Sequence, residues 1–281
     1  MSDATDFPSS PLVSISIVVY FPDPAWLKTT LESLVAALAN ARLAGALLGA
    51  QICLVDNQSI SSVSPYRVPL ETARKHFGWI EPIIISGQGN IGYGRANNLA
   101  IARCTTSDFH LILNPDVKLE EDAITNALRY LEQHTECAMV SPVATAPDGQ
   151  PLYLVKRIPD VFTLALRGFA PDWIKQRFRA RLDAYERKET PHDAALTDVA
   201  IASGCFMLIR RSALAQVQGF DPAFFLYFED FDLCVRIARF AGIARVPSVR
   251  IVHAGGSAAA KNIRHVWLFA RSALRFFRKH G

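Results

Sequence analysis

Several classes of protein are excluded by what this chain has little of. Its five cysteines, Cys53, Cys104, Cys137, Cys205 and Cys234, are odd in number, scattered, and include no C-x-x-C pair. A disulfide framework and a cysteine-held metal cluster are therefore poorly supported, and buried reduced thiols in a cytoplasmic protein are the expectation. No run approaches the roughly 20 apolar residues needed to span a bilayer. The opening MSDATDFPSSP has neither a basic n-region nor an apolar h-region, so secretion by a signal peptide is not expected. Charge of one sign is also lacking. Thirty Lys and Arg against 26 Asp and Glu leave +4, too mild to argue for nucleic acid as a partner.

What is present is a chain of 281 residues, 50% hydrophobic, able to bury a large core. Leu12 to Tyr20 is nearly continuously apolar and β-branched, which predicts a strand covered on both faces. Asp23-Pro24 reads as an N-cap with proline at the first helical position, and Leu27, Leu31, Leu34, Val35 and Leu38 form one helical face. A second strand, Gln51 to Val55, ends in Asp56-Asn57, and a third, Ile83 to Ser86, leads into Gly87, Gly89 and Gly92. These glycines fit G-x-G-x-x-G, as in a dinucleotide-binding turn, but two strands already precede them, and Asn90, Asn97 and Asn98 exceed what such a turn needs. A glycine-rich turn without a ligand is the plainer alternative.

Phe109 to Leu113 predicts a fourth strand, cut off at Asn114-Pro115-Asp116 because proline cannot continue it. Strand ends of an open α/β sheet face the ligand crevice, so Asp116 is a candidate ligand-holding carboxylate. Glu120, Glu121 and Asp122 should load the first turn of a helix running to about Gln133. Val140 to Thr145 and Asp198 to Arg210 read as further strands, the latter broken at Ser203-Gly204. Glu229, Asp230 and Asp232 then crowd the head of an amphipathic helix, where like charges raise at least one pKa. A last strand, Val246 to Val252, delivers His253 to a glycine pair. A carboxylate together with a histidine suits a divalent ion that also binds phosphate, and a separate carboxylate such as Asp230 suits a general base.

Two basic stretches remain. Residues 160–190 interleave seven Lys and Arg with aromatic residues, as a solvated helical insertion or as a surface for a membrane or an anionic acceptor. Arg264 to Lys279 segregates bases from Phe269, Ala273, Leu274, Phe276 and Phe277. Such a helix can dock on the protein's own core or lie on an anionic membrane, and membrane contact is the favoured expectation.

In order, SIVVYFPD, LVDNQS, GNIGYGRANNLAI, LILNPDV, GCFMLIRR, GFDPAFFLYFEDFDLCVRIARFAG and VHAGGS resemble the motifs of family-2 glycosyltransferases, closest to the rhamnosyltransferase-like branch. The resemblance covers about Ser14 to Ser257. It implies an α/β GT-A fold with a Rossmann-like, mostly parallel central sheet, over 12–257. Residues 12–117 would form the nucleotide-binding half, residues 118–257 the acceptor half, and 262–281 a C-terminal amphipathic helix. It implies an inverting transfer of a sugar, L-rhamnose from dTDP-L-rhamnose or a sugar from a UDP donor, to a lipid-linked or growing surface glycan. The implied acceptor carrier is a polyprenyl diphosphate, with the protein peripheral on the inner face of the cytoplasmic membrane.

Residue by residue, the resemblance implies that Asp230 is the base with Glu229 beside it. Tyr20, Asp56, Asn57, Asn90, Gly92, Asn98 and Asp116 would line the nucleotide sugar. Asp116 and His253 would hold Mg2+ or Mn2+. Asn114 stands where the family's D-x-D has its first aspartate, so the metal would depend on the donor's own phosphates. An NAD-dependent oxidoreductase, which leaves Asp116, Glu229-Asp230 and His253 without a joint explanation, and a non-enzymatic glycan-binding module, disfavoured by the complete acid clusters, are the competing readings.

Overall fold

A computed structural model describes residues 10–58, 64–255 and 263–281. Along the chain run β1 (Leu12–Val19), α1 (Pro24–Leu43), β2 (Gly49–Asp56), α2 (Ser64–His76), β3 (Ile80–Ile85), α3 (Tyr93–Arg103) and β4 (Phe109–Leu113). Next are β5 (Val117–Leu119), α4 (Ala123–Gln133), β6 (Cys137–Thr145) and the short β7 (Pro151–Leu152) and β8 (Val155–Lys156). Then come α5 (Val161–Phe169), α6 (Asp172–Arg177), α7 (Arg179–Tyr185), β9 (Ile201–Ala202), β10 (Phe206–Arg210), α8 (Arg211–Val217), α9 (Glu229–Ile237), β11 (Gly242–His253) and α10 (Ile263–His280).

The main sheet has the order β3-β2-β1-β4-β10-β6-β11-β5, with β7 beside β6. Its first four strands are parallel, as the alternation of strand and helix predicts. The other half is mixed, because β10 enters antiparallel between β4 and β6 and β5 runs antiparallel to β11. Each central strand serves two cores. In β4, Leu111 and Leu113 join the layer under α1 and α4, while Ile112 faces the layer formed with α8 and α9. Covering on both faces is why β1 and β4 read as unbroken apolar runs rather than as alternation. Proline is tolerated at Pro82 because β3 is an edge strand.

Asp23 caps α1 as expected, its carboxylate accepting from the amides of Ala25 and Trp26 at 2.8 and 3.1 Å. One local expectation is corrected, and one break is borne out. Helix α4 starts at Ala123, so Glu120, Glu121 and Asp122 precede its first turn, and Asp122 at the cap position makes no side-chain capping bond. The stretch 198–210 breaks at Ser203-Gly204 as expected, giving two strands, β9 and β10, because residues 203–205 turn aside to meet α9.

Helix α10 docks on the protein's own core. Phe276 is 1% exposed and packs with Phe224, Phe228, Leu164 and Ile201, while Phe269, Ala273 and Phe277 line the same cluster. The favoured expectation of membrane contact through this aromatic face is therefore overturned: folding has already buried it. Among the described residues no helix is long and apolar enough to cross a membrane.

Candidate active site

The register of the short β5 against the end of β11 brings together residues that lie far apart in sequence. Because β5 pairs antiparallel with β11, His253 sits opposite Val117, and the Ala254 amide donates to the Asp116 carbonyl at 3.0 Å. Helix α1 secures β5 from its open side, with Thr30 Oγ1 and Ser33 Oγ accepting from the amides of Val117 and Leu119. Asp116 Oδ1 and His253 Nε2 come to 3.3 Å. Both atoms are buried, and neither makes a hydrogen bond. A hard carboxylate oxygen and an imidazole nitrogen left unpaired side by side fit two ligands of one divalent ion. Among the described residues no group of three His, Cys, Asp or Glu side chains is arranged to hold a metal ion by itself, there or elsewhere. The glycines after His253 begin with Gly255; Gly256 and Ser257 lie outside the described residues.

A second acidic group lies across a short hydrogen-bonded bridge. The Gly204 amide donates to Asp230 Oδ2 at 3.1 Å, and the Phe231 amide to Asp230 Oδ1 at 2.9 Å. Tyr93 Oη lies 2.8 Å from the Gly204 carbonyl and 3.0 Å from Asn114 Oδ1. The Asn114 amide in turn donates to the Cys205 carbonyl. Asp230, Gly204, Tyr93 and Asn114 thus form one connected chain ending two residues from Asp116. The Asn114 oxygen is engaged by Tyr93, so Asn114 positions the strand end rather than supplying a spare carboxylate.

Burial raises the Asp230 carboxyl above the usual range, opposed by the Gly204 and Phe231 amides and by the Lys156 ammonium. Glu229 is 5% exposed, and burial together with the Asp230 charge pushes it up to about 8, so near neutral pH it holds its proton. Lys156 is brought down to about 8 by burial and by Arg167, against the pull of Glu186 and Asp230. Tyr93 and Gly204 lie within the motifs GNIGYGRANNLAI and GCFMLIRR, with no role in the site expected of them, and Lys156 lies in no motif. Only the break at Ser203-Gly204 hinted at such a role, whereas Lys156 arrives through the pairing of β8 with β9.

The head of α9 carries backbone strain. Tyr227 and Phe228 both have φ in the left-handed region, +69° and +66°, at a cost of about 1–3 kcal/mol each for such side chains. Phe228 is held by Phe269 and Phe276 of α10, with ring centroids at 5.2 and 5.5 Å. Ser272 Oγ donates to the Leu226 carbonyl, and Tyr227 Oη meets His265 Nδ1 at 2.9 Å. Asp232, fully buried, is clamped by Arg236, Lys279 and His280 at 2.7, 2.7 and 2.8 Å. The third acid of the cluster is therefore the anchor of α10, consistent with its place at the helix end rather than in chemistry.

The remaining candidates separate. Asp56 is fully buried at the end of β2, with Oδ1 accepting from the Gln58 amide at 3.0 Å. Asn57 Nδ2 reaches the Gly92 carbonyl at 3.3 Å, which leaves its buried Oδ1 unpaired, and Tyr20 stands 51% exposed after β1. Asn90 Oδ1 accepts from the Gly92 amide and shapes the loop. Asn98 is engaged elsewhere. Its side-chain amide bonds both the Phe220 amide and the Phe220 carbonyl, at 2.9 and 2.8 Å, tying α3 to the turn after α8. Asn97 belongs to a buried network through Ser16 to His110. Gly92 has φ +90°, and a Cβ there would run into the Phe225 carbonyl, so packing explains this glycine without a dinucleotide.

Comparison with known proteins decides the family, since the model described as "Glycosyl transferase family 2" matches residues 14–218. The chain belongs to glycosyl transferase family 2. Curated relatives include the rhamnosyltransferase WbbL of Escherichia coli K12, 29% identical over 184 residues, which are 60% of this chain and 62% of that protein. The N-acetylglucosaminyl-diphospho-decaprenol L-rhamnosyltransferase of Mycobacterium tuberculosis is 28% identical over 178 residues, 58% of this chain and 56% of that one. This family-2 chain thus matches less than two thirds of the length of either relative. Among solved structures, the mannosyltransferase PcManGT from Pyrobaculum calidifontis in complex with GDP-Man and Mn2+ aligns over 95% of this chain and 65% of its own, with a TM-score of 0.60 and 15% identity. GalNAc-T7 with UDP, GalNAc and Mn2+ aligns over 88% of this chain and 44% of its own, with a TM-score of 0.59 and 14% identity. The likeness establishes the GT-A fold for this family-2 chain.

Proposed function

We propose that this protein is an inverting glycosyltransferase that moves L-rhamnose from dTDP-L-rhamnose to a hydroxyl of a lipid-linked or growing cell-surface polysaccharide. The observation that carries the reading is the connected arrangement of Asp230 and the unpaired Asp116–His253 pair on either side of Tyr93 and Gly204. Family membership supports the transfer reaction, and the names of the two curated relatives support rhamnose and a polyprenyl-diphosphate carrier. A peripheral position on the inner face of the cytoplasmic membrane follows from such a carrier.

Asp230 acts as the base. Its raised pKa makes it a better proton acceptor than an ordinary carboxylate, and it takes the proton of the acceptor hydroxyl as that oxygen bonds the anomeric carbon. The bond to the nucleoside diphosphate breaks on the opposite face and takes its electron pair with it. Glu229, carrying its proton, keeps a second negative charge away from the base. Asp56, Asn57, Tyr20 and Asn90 surround the nucleotide, while Gly92 lets the loop pass under Phe225. Asp116 and His253 would hold Mg2+ or Mn2+, which supplies positive charge to the leaving diphosphate.

Asp230→Asn should keep nucleotide binding and lose at least ~10²-fold in turnover. Near-normal turnover would remove Asp230 from the role. Slow donor hydrolysis without acceptor, compared across dTDP-rhamnose and UDP-sugars, identifies the donor.

A further inference from the structure

We propose that the outer face of α10 is the surface on which this protein rests against an anionic bilayer, with phospholipid phosphates seated in two grooves along it. The proposal rests on the peripheral location given above and names the face that achieves it. Docking of the phenylalanine face leaves Trp267, Arg271, Leu274, Arg275 and Arg278 along the opposite side of the helix, at spacings that keep them on one stripe. Trp267 is 58% and Leu274 54% exposed, so two large apolar side chains stand in water among guanidinium groups. That mixture matches an interfacial helix, whose apolar residues enter the headgroup region while cations meet lipid phosphates.

The stripe is also shaped. One groove of 460 Å³ is lined by Asp221, Arg271, Leu274, Arg275, Arg278 and Lys279. A second, of 360 Å³, shares Arg271 and Arg275 and extends past Trp267 to Phe225 and Arg95. The shared arginines make them neighbours on one surface. Among the described residues, Arg275 and Arg278 form no ion pair, and Arg271 lies over the Trp267 ring at 5.3 Å. The other basic stretch differs. Across residues 160–190, Lys175, Arg179, Arg181, Arg167 and Lys188 are paired with Asp172, Asp183, Asp160 and Glu186. Its positive charge is largely neutralised internally, although Trp173 and Phe162 are exposed there too. Charge complementarity therefore selects α10.

The test is vesicle flotation of the full chain, without sugar nucleotide, on phosphatidylglycerol and on phosphatidylcholine. Wild-type protein should float with the anionic vesicles and not the neutral ones, and should release as salt rises. The triple variant Arg271→Gln, Arg275→Gln, Arg278→Gln should bind at least about 100-fold more weakly, at roughly 1 kcal/mol per basic residue. Leu274→Asp, on the same stripe, should also weaken binding. Lys175→Gln with Arg179→Gln should float as wild type. Wild-type flotation by the α10 triple variant, loss of flotation in the α5–α7 variant, or no flotation of the wild type would overturn the proposal. So would release by inorganic phosphate at constant ionic strength, since that would assign the grooves to a soluble anion. Donor hydrolysis, measured separately, should be unchanged in the α10 triple variant, so failure here leaves the transferase reading intact and the reverse also holds.

Discussion

Lys156 has more influence on the chemistry than its place in the sequence suggests. It is one of the groups that hold the Asp230 carboxyl down against burial, and its own ammonium titrates at about 8. A base works only when deprotonated, so kcat/KM should rise with pH through the Asp230 pKa. In Lys156→Met the opposing charge is gone, and that acid limb should move to higher pH, while any limb near 8 that belongs to Lys156 disappears. A lysine that only packs would leave the pH profile in place. The carboxylates were legible because each sits in a short linear motif, at a strand end or a helix head. Lys156 was not, because its relation to Asp230 exists only once β8 has paired with β9 and residues 203–205 have turned toward α9.

At the scale of elements, α10 and the segment 221–232 behave as one unit. Two left-handed aromatic residues would not persist at the entrance to α9 unless their surroundings fixed them, and the α10 phenylalanines supply that support. Phe276→Ala should destabilise the fold by about 3–5 kcal/mol in urea unfolding, as for other buried phenylalanines. It should also lower turnover more than it weakens nucleotide binding, since the strain it releases lies next to Asp230 and not next to Asp56. The amphipathic pattern of α10 was plain in the sequence. Its docking side was not, because a periodic apolar face looks the same whether lipid or protein covers it. The parallel half of the sheet followed from alternating strand and helix patterns, whereas the antiparallel insertion of β10 left no local mark.

Across the whole molecule, the Asp116–His253 pair proposed to hold the ion offers two side chains, with no third candidate ligand among the described residues. Mn2+ or Mg2+ alone should therefore raise the Tm little, dTDP or UDP alone modestly, and the two together by more than the sum. Asp116→Ala should abolish that excess while keeping the nucleotide-only shift, and EDTA should do the same to the wild type; NAD should give no shift. An equal response to metal with and without nucleotide would show that the ion is held by protein alone.

The Asp232 clamp carries a consequence for how this sequence can drift. A buried acid matched by groups from two different helices does not change freely, since losing it leaves the buried His280 without its acid and Lys279 with Asp221 alone, and losing those two leaves Asp232 with Arg236 alone. In an alignment of relatives, an acid at the position of Asp232 and bases at those of Lys279 and His280 should appear and vanish together, whereas Arg275 and Arg278 should vary independently of them.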